Sequence, residues 1–274
     1  MRITTDDGVG LAVERAGDGP GLLLVHGFGG AKEDFADHVP ALARDHTVVV
    51  FDHRGHGASD KPADADAYSL ARLATDVVEV ADAVGLETFR LLGHSMGGMV
   101  ARKVALGERD RIDALIMMDT SPGPVPGFDP SLMEAAAHVA LDQGKAALKE
   151  LLEMAPVLET PSYQRMLREW PDYQAFQERK FADLSAVMWG AMALALAHQG
   201  DDLPAMATLA CPLLVLVGVE DEPFLIASKA MASAIPAAQL VVIPDAGHSP
   251  QFENPTAWFE ALSMFLSSLP AATR

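Results

Sequence analysis

The sequence predicts an α/β fold built on a mostly parallel, doubly wound sheet that a helical insert interrupts once. Two observations carry this reading. Short continuous apolar runs alternate with stretches of helical periodicity, as expected when parallel strands are covered on both faces. The alternation stops only between Ser121 and about Leu203, where Ala, Leu, Met and Glu dominate and no strand-like run occurs.

The chain opens as a hairpin, with Ile3, Leu11 and Val13 flanking the turn dipeptide Asp7-Gly8. Parallel strands are then expected at 22–25, 48–51, 89–92, 115–118, 213–217 and 240–243, and helices at 33–43, 69–84, 96–106, 224–235 and 256–266. In the second helix Leu70, Leu73, Val77, Val80 and Val84 recur at the spacing of one buried face. The Pro-Gly cluster from Ser121 to Gly127 marks the exit into the insert. The expected division is therefore a core of 1–121 and 204–274 and a helical cap of 122–203.

Of the 274 residues, 50% are apolar, enough for a large single core. The 38 acidic residues against 20 basic ones give a net charge of −18, a field that repels polyanions, so nucleic acid is not an expected partner. Cys211 stands alone, which excludes an intramolecular disulfide and a cysteine metal cluster, and its apolar surroundings predict a buried thiol without a chemical task. The stretch from Met1 to Asp7 lacks the basic start and apolar core of a secretory signal. The longest apolar segment, around 186–197, falls short of the roughly 20 residues that span a bilayer. A cytoplasmic protein with no membrane partner is expected.

Gly93-His94-Ser95-Met96-Gly97 fits the pattern GxSxG between an apolar strand and a helix. That context lets a serine hydroxyl stand above the carboxyl edge of the sheet, with the helix N-terminus adding positive potential beside it. A serine hydroxyl needs a base, and among nine histidines His248 stands out because Asp245-Ala246-Gly247-His248-Ser249 follows the strand at 240–243, on a loop at the same edge as Ser95. The base needs an orienting acid. Asp221 follows the strand at 213–217 and gives the chain order serine, acid, histidine; Asp119 also ends a strand and is a rival, although it could instead bond local backbone. The glycines of His26-Gly27-Phe28-Gly29-Gly30 permit a backbone that aims an amide outward, so the N–H groups of Phe28 and Met96 are the expected oxyanion donors.

Together, His26-Gly27-Phe28-Gly29, the run from Asp52 to Ser59, Gly93 to Gly98, Gly218-Val219-Glu220-Asp221 and Gly247-His248 resemble the successive motifs of the α/β-hydrolase superfamily. Within it the chain is similar to single-domain bacterial carboxylesterases and 3-oxoadipate enol-lactonase-like hydrolases. The resemblance implies an inserted helical cap, no cofactor, and a structural role for Arg54 in holding neighbouring loops. His53 and His56 lie close to Asp52 and Asp60, but no companion cluster supplies further ligands at metal-site spacing, and no metal is expected. Serine at the elbow, where haloalkane dehalogenases and epoxide hydrolases carry aspartate, leaves acyl transfer as the chemistry. Carboxylic esters of small, largely apolar acyl groups, cleaved through an acyl-enzyme on Ser95, are the expected substrates, with lactones or activated carbon–carbon bonds as alternatives and a ligand receptor as the non-enzymatic one. In the cap, Trp189, Met192 and Met188 are candidates for the wall of an apolar acyl pocket; a strongly anionic substrate would need a cation there, for which Arg165, Arg168 and Arg179 are the candidates, although the ordinary place of each is a solvated helix face.

Overall fold

The computed structural model describes residues 1–154 and 160–270; the parts of the expected cap at 155–159 and of the core at 271–274 lie outside them. Eight strands form one sheet: β1 (Arg2–Thr4), β2 (Gly10–Ala16), β3 (Gly21–Val25), β4 (Thr47–Phe51), β5 (Phe89–His94), β6 (Ile112–Met118), β7 (Leu213–Gly218) and β8 (Ala238–Ile243). They lie in the order β1-β2-β4-β3-β5-β6-β7-β8. The β1–β2 and β2–β4 pairs are antiparallel, and every pairing from β4 to β8 is parallel.

The order reverses at β3, which has β4 on one side and β5 on the other. At such a switch point the loops leaving the two strand ends diverge to opposite faces and open a crevice above the carboxyl edge. His26–Gly30 leaves β3 there, and Ser95 ends β5 beside it.

The sheet buries both faces because side chains alternate along each strand. Leu23, Val49, Leu91, Met117 and Val215 pack on one side against α1 (Leu70–Ala83) and α2 (Met96–Gly107). Leu22, Leu24, Val50, Leu92, Ile116 and Leu216 pack on the other, against Phe35 and Trp258. Burying one such side chain contributes about 1.5–3 kcal/mol, so this two-sided core is the main source of stability. Ser69 caps α1, its hydroxyl accepting from the Arg72 amide at 3.1 Å.

One expected helix is corrected. The segment 33–43 forms a 3₁₀ turn, Lys32–Phe35, and a separate short helix, Val39–Leu42. Pro40 lacks the amide a continuous helix would need and is tolerated only in the first turn of the second piece.

Between β6 and β7 the described chain is helical: α3 (Pro130–Met154), α4 (Pro161–Glu169), α5 (Tyr173–Ala182) and α6 (Ala186–Ala197). Gly144 breaks α3 with φ +80°. After β7 come α7 (Glu222–Ala234), packed on β7 and β8, and α8 (Pro255–Ser268), which buries Trp258, Leu262 and Phe265. No single described helix is long and apolar enough to cross a membrane.

Arg54 bridges three parts of the chain. Its guanidinium bonds Asp76 of α1 through Nε and Nη2, both at 2.7 Å, and reaches Asp7 of the first hairpin at 2.8 Å. Cys211 is half-buried rather than enclosed.

Candidate active site

Ser95 stands between β5 and α2 with φ +54° and ψ −120°, a conformation that a non-glycine residue adopts only when its surroundings enforce it. Its amide donates to the Met118 carbonyl at 2.9 Å, and Thr120 Oγ1 donates to its carbonyl at 2.6 Å. The turn also requires close packing of α2 on β3. A Cβ on Gly97 would stand 2.3 Å from the Val25 carbonyl oxygen, so only glycine fits.

The structure brings the three expected side chains together. The Ser95 hydroxyl donates to His248 Nε2 at 2.9 Å, and His248 Nδ1 donates to Asp221 Oδ2 at 2.7 Å. Asp221 is enclosed, whereas Ser95 and His248 retain some accessible surface. The Phe224 ring packs on the imidazole with centroids 4.8 Å apart. In this geometry the hydroxyl proton can pass to a base whose other nitrogen is already bonded to a carboxylate.

The loop after β3 lies against the elbow: a Cβ built on Gly27 would be 3.1 Å from Ser95 Cβ. Its backbone is braced from behind, where the Gly29 amide donates to His56 Nε2 at 3.3 Å and His26 Nε2 accepts from the His53 amide at 3.1 Å. The amides of Phe28 and Met96 take no part in the hydrogen bonding of the described backbone. Burial keeps His26, His53 and His56 below the usual histidine range, so this cluster is neutral and leaves the elbow's positive potential to its amides.

Asp119 does not bond the backbone of its own turn. At φ +43° it turns its carboxylate toward the adjacent strand, and Oδ1 accepts from the Gly218 amide at 2.9 Å. One ligand atom each from Asp119, Asp221 and His248 lie within 4.8 Å of one another. An ion there would have to displace the Nδ1 proton that joins His248 to Asp221.

Glu220 accepts from the amide and hydroxyl of Ser162 at 2.9 and 2.8 Å. Arg165 donates to the carbonyls of Asp245 and Glu253, both at 2.8 Å. The start of α4 is thereby fastened to the two loops that carry Asp221 and His248. From α6, the Trp189 ring packs on Phe28 with centroids 5.1 Å apart. Met188 and Met192 have no accessible surface; Met188 lies against Gly55, and Met192 sits in the core.

Sequence reasoning missed two residues that hold the base. The Glu253 carboxylate accepts from the Gly247 amide and, at 3.1 Å, from the Ser249 amide, gripping the chain on either side of His248. His94 Nε2 donates to the His248 carbonyl. Nothing local marks Glu253 apart from a surface carboxylate, because only the short helix Pro250–Glu253 folds it back.

Strand order, elbow and the Ser95–His248–Asp221 alignment define the class as enzymes built on the α/β-hydrolase fold. The family model described as alpha/beta hydrolase fold matches residues 20–255, and the chain belongs to that family. It is 29% identical to a pimeloyl-[acyl-carrier protein] methyl ester esterase of Aeromonas hydrophila over 264 residues, covering 93% of this chain and 99% of that one. A thermophilic esterase from Thermogutta terrifontis superposes with a TM-score of 0.84 at 32% identity, over 97% of this chain and 98% of that one. The enol-lactonase of Burkholderia xenovorans LB400 shares the fold, with a TM-score of 0.86 at 23% identity over 98% and 100% of the two chains. The chain is a hydrolase of this fold.

Proposed function

We propose that the protein hydrolyses carboxylic esters of small, largely apolar acyl groups through an acyl-enzyme on Ser95. The observation that carries this reading is the continuous hydrogen-bond line from Ser95 Oγ through His248 to Asp221. As the serine oxygen attacks the ester carbon, His248 Nε2 takes its proton and Asp221 stabilises the resulting imidazolium. The carbonyl oxygen becomes an oxyanion facing the amides of Phe28 and Met96. His248 then gives the proton to the departing alkoxide. A water molecule repeats the attack on the acyl-enzyme, with His248 again as base.

Residues 122–203 serve as the cap in this reading and Trp189 as part of the acyl wall, supported by the Phe28 contact and by the bonds from Ser162 and Arg165. The similar esterases support an ester substrate over other acyl compounds.

The test is hydrolysis of p-nitrophenyl esters and a panel of lactones, with fluorophosphonate labelling. Ser95→Ala should lose nearly all turnover and the label, and Asp221→Asn should lose up to about 10⁴-fold in kcat because the imidazole takes the wrong tautomer. Labelling of another serine, or full turnover by Ser95→Ala, refutes the assignment.

A further inference from the structure

Two buried carboxyl groups stand behind His248, and orienting an imidazole takes only one. Asp221 presents Oδ2 to the ring, while Asp119 Oδ1 is committed to the Gly218 amide. The remaining oxygens, Asp119 Oδ2 and Asp221 Oδ1, are both fully buried, and no donor among the described residues reaches either. Two ionised carboxylates this close repel strongly in a dry site, and each orphaned oxygen adds a desolvation cost. A single proton between them removes both problems.

We propose that Asp119 is a neutral carboxylic acid that donates its proton to Asp221 Oδ1, making it a positioning residue for the acid of the hydrolytic relay. The proposal rests on the reading of Ser95, His248 and Asp221 as that relay. The carboxylates facing Asp119 favour its neutral form. Burial is the main cause that pushes its carboxyl well above the usual carboxylate range, and the charges of Asp221 and Glu253 push in the same direction. His94, the other titratable group beside the pair, is held neutral by burial and offers no compensating cation. Only the Gly218 amide pulls the other way.

Two consequences follow. The donated bond fixes the plane of the Asp221 carboxylate, so that Oδ2 stays aligned with Nδ1. The pair carries one negative charge rather than two, so the imidazolium formed during turnover faces a single carboxylate charge.

The experiment compares the wild type, Asp119→Ala and Asp119→Asn by the pH profile of p-nitrophenyl acetate hydrolysis, with carbon-13 NMR of aspartate-labelled protein. Asp119→Ala should lose about 10-fold or more in kcat, the rate equivalent of a buried acceptor left unpaired. Asn keeps both bonds, accepting from Gly218 and donating to Asp221, and should restore most of that loss with the acid limb unmoved. At neutral pH the wild type should show a neutral aspartic carboxyl signal that Asp119→Asn removes. An ionised Asp119 predicts instead that Asn lowers the acid limb by about 1 unit or more, since a second negative charge near His248 disappears. That shift, a missing neutral signal, undiminished kcat in Asp119→Ala, or loss of activity on chelation with EDTA overturns the proposal. The NMR result stands independently of catalysis, so an active Ser95→Ala overturns the relay and leaves the proton pair to be judged on its own.

Discussion

Nε2 of His94 lies 2.7 Å from the carbonyl oxygen of His248, so the residue that precedes the serine holds the backbone of the base. Burial lowers His94 to about 3, which leaves a neutral ring with one N–H, and that N–H is spent on this bond. His94→Phe should lower kcat by about 10-fold through looser placement of His248, with little change in KM for a short ester. Because His94 does not titrate near neutrality, the acid limb should keep the shape of a single group in both proteins. A KM effect without a kcat effect would show that His94 shapes binding instead.

Trp189 packs on Phe28, whose amide faces the proposed oxyanion site. Trp189→Ala should change the ratio of kcat/KM between hexanoyl and acetyl esters by about 10-fold, the scale expected when an apolar wall gains or loses a few methylene contacts. The same ratio in both proteins would place the acyl pocket elsewhere.

Arg54 and Asp76 form an ion pair in which both side chains are fully enclosed. Removing the cation strands the anion, which typically costs about 3–5 kcal/mol. Arg72 still reaches Asp76 at 3.0 Å, so Arg54→Met should fall at the lower end of that range in urea denaturation. A loss below about 1 kcal/mol would show that Arg72 suffices alone.

His26, His38, His46, His53, His56 and His94 are all held below the ordinary histidine range by burial. Unfolding releases each to titrate normally near 6.5, so below that pH the unfolded chain binds more protons than the folded one. Stability should therefore be greatest above about pH 7 and fall as pH drops through 6.5, by up to about 1.4 kcal/mol per pH unit for each proton taken up. Urea midpoints between pH 8 and 5.5 measure this. A flat profile would mean that these rings charge in the folded state.

Apolar runs and helical periodicity made the sheet and its flanking helices legible, because burial on both faces writes itself into short windows of sequence. The serine, histidine and acid were legible for a related reason: each follows a strand, and strand ends share one edge. Pro40 carried a local signal that the 33–43 reading passed over. Asp119 was legible as a strand-end carboxylate, but its partner, like those of Glu253 and His94, was not, since Gly218, the loop around His248 and a distant carbonyl are contacts made only by the folded chain. The contacts of Glu220 and Arg165 were hidden for the same reason: the sequence shows a charge, and only packing shows what it meets.

Arg102, enclosed within α2, donates to the Ser121 carbonyl at 2.8 Å and to Gln199 Oε1 at 2.8 Å, and its Nε lies 3.0 Å from Asp202. The Asp202 amide in turn donates to the Pro122 carbonyl at 2.9 Å. The helical segment thus departs from the sheet and returns to it at a single doorway, framed by the helix that begins at Ser95. Arg102 thereby holds the exit after β6 beside the return toward β7. Ser162, Arg165 and Trp189 reach the site from inside that segment, so a graft between 122 and 202 would have to bring equivalents of all three to keep the loops of Asp221, His248 and Phe28 in place.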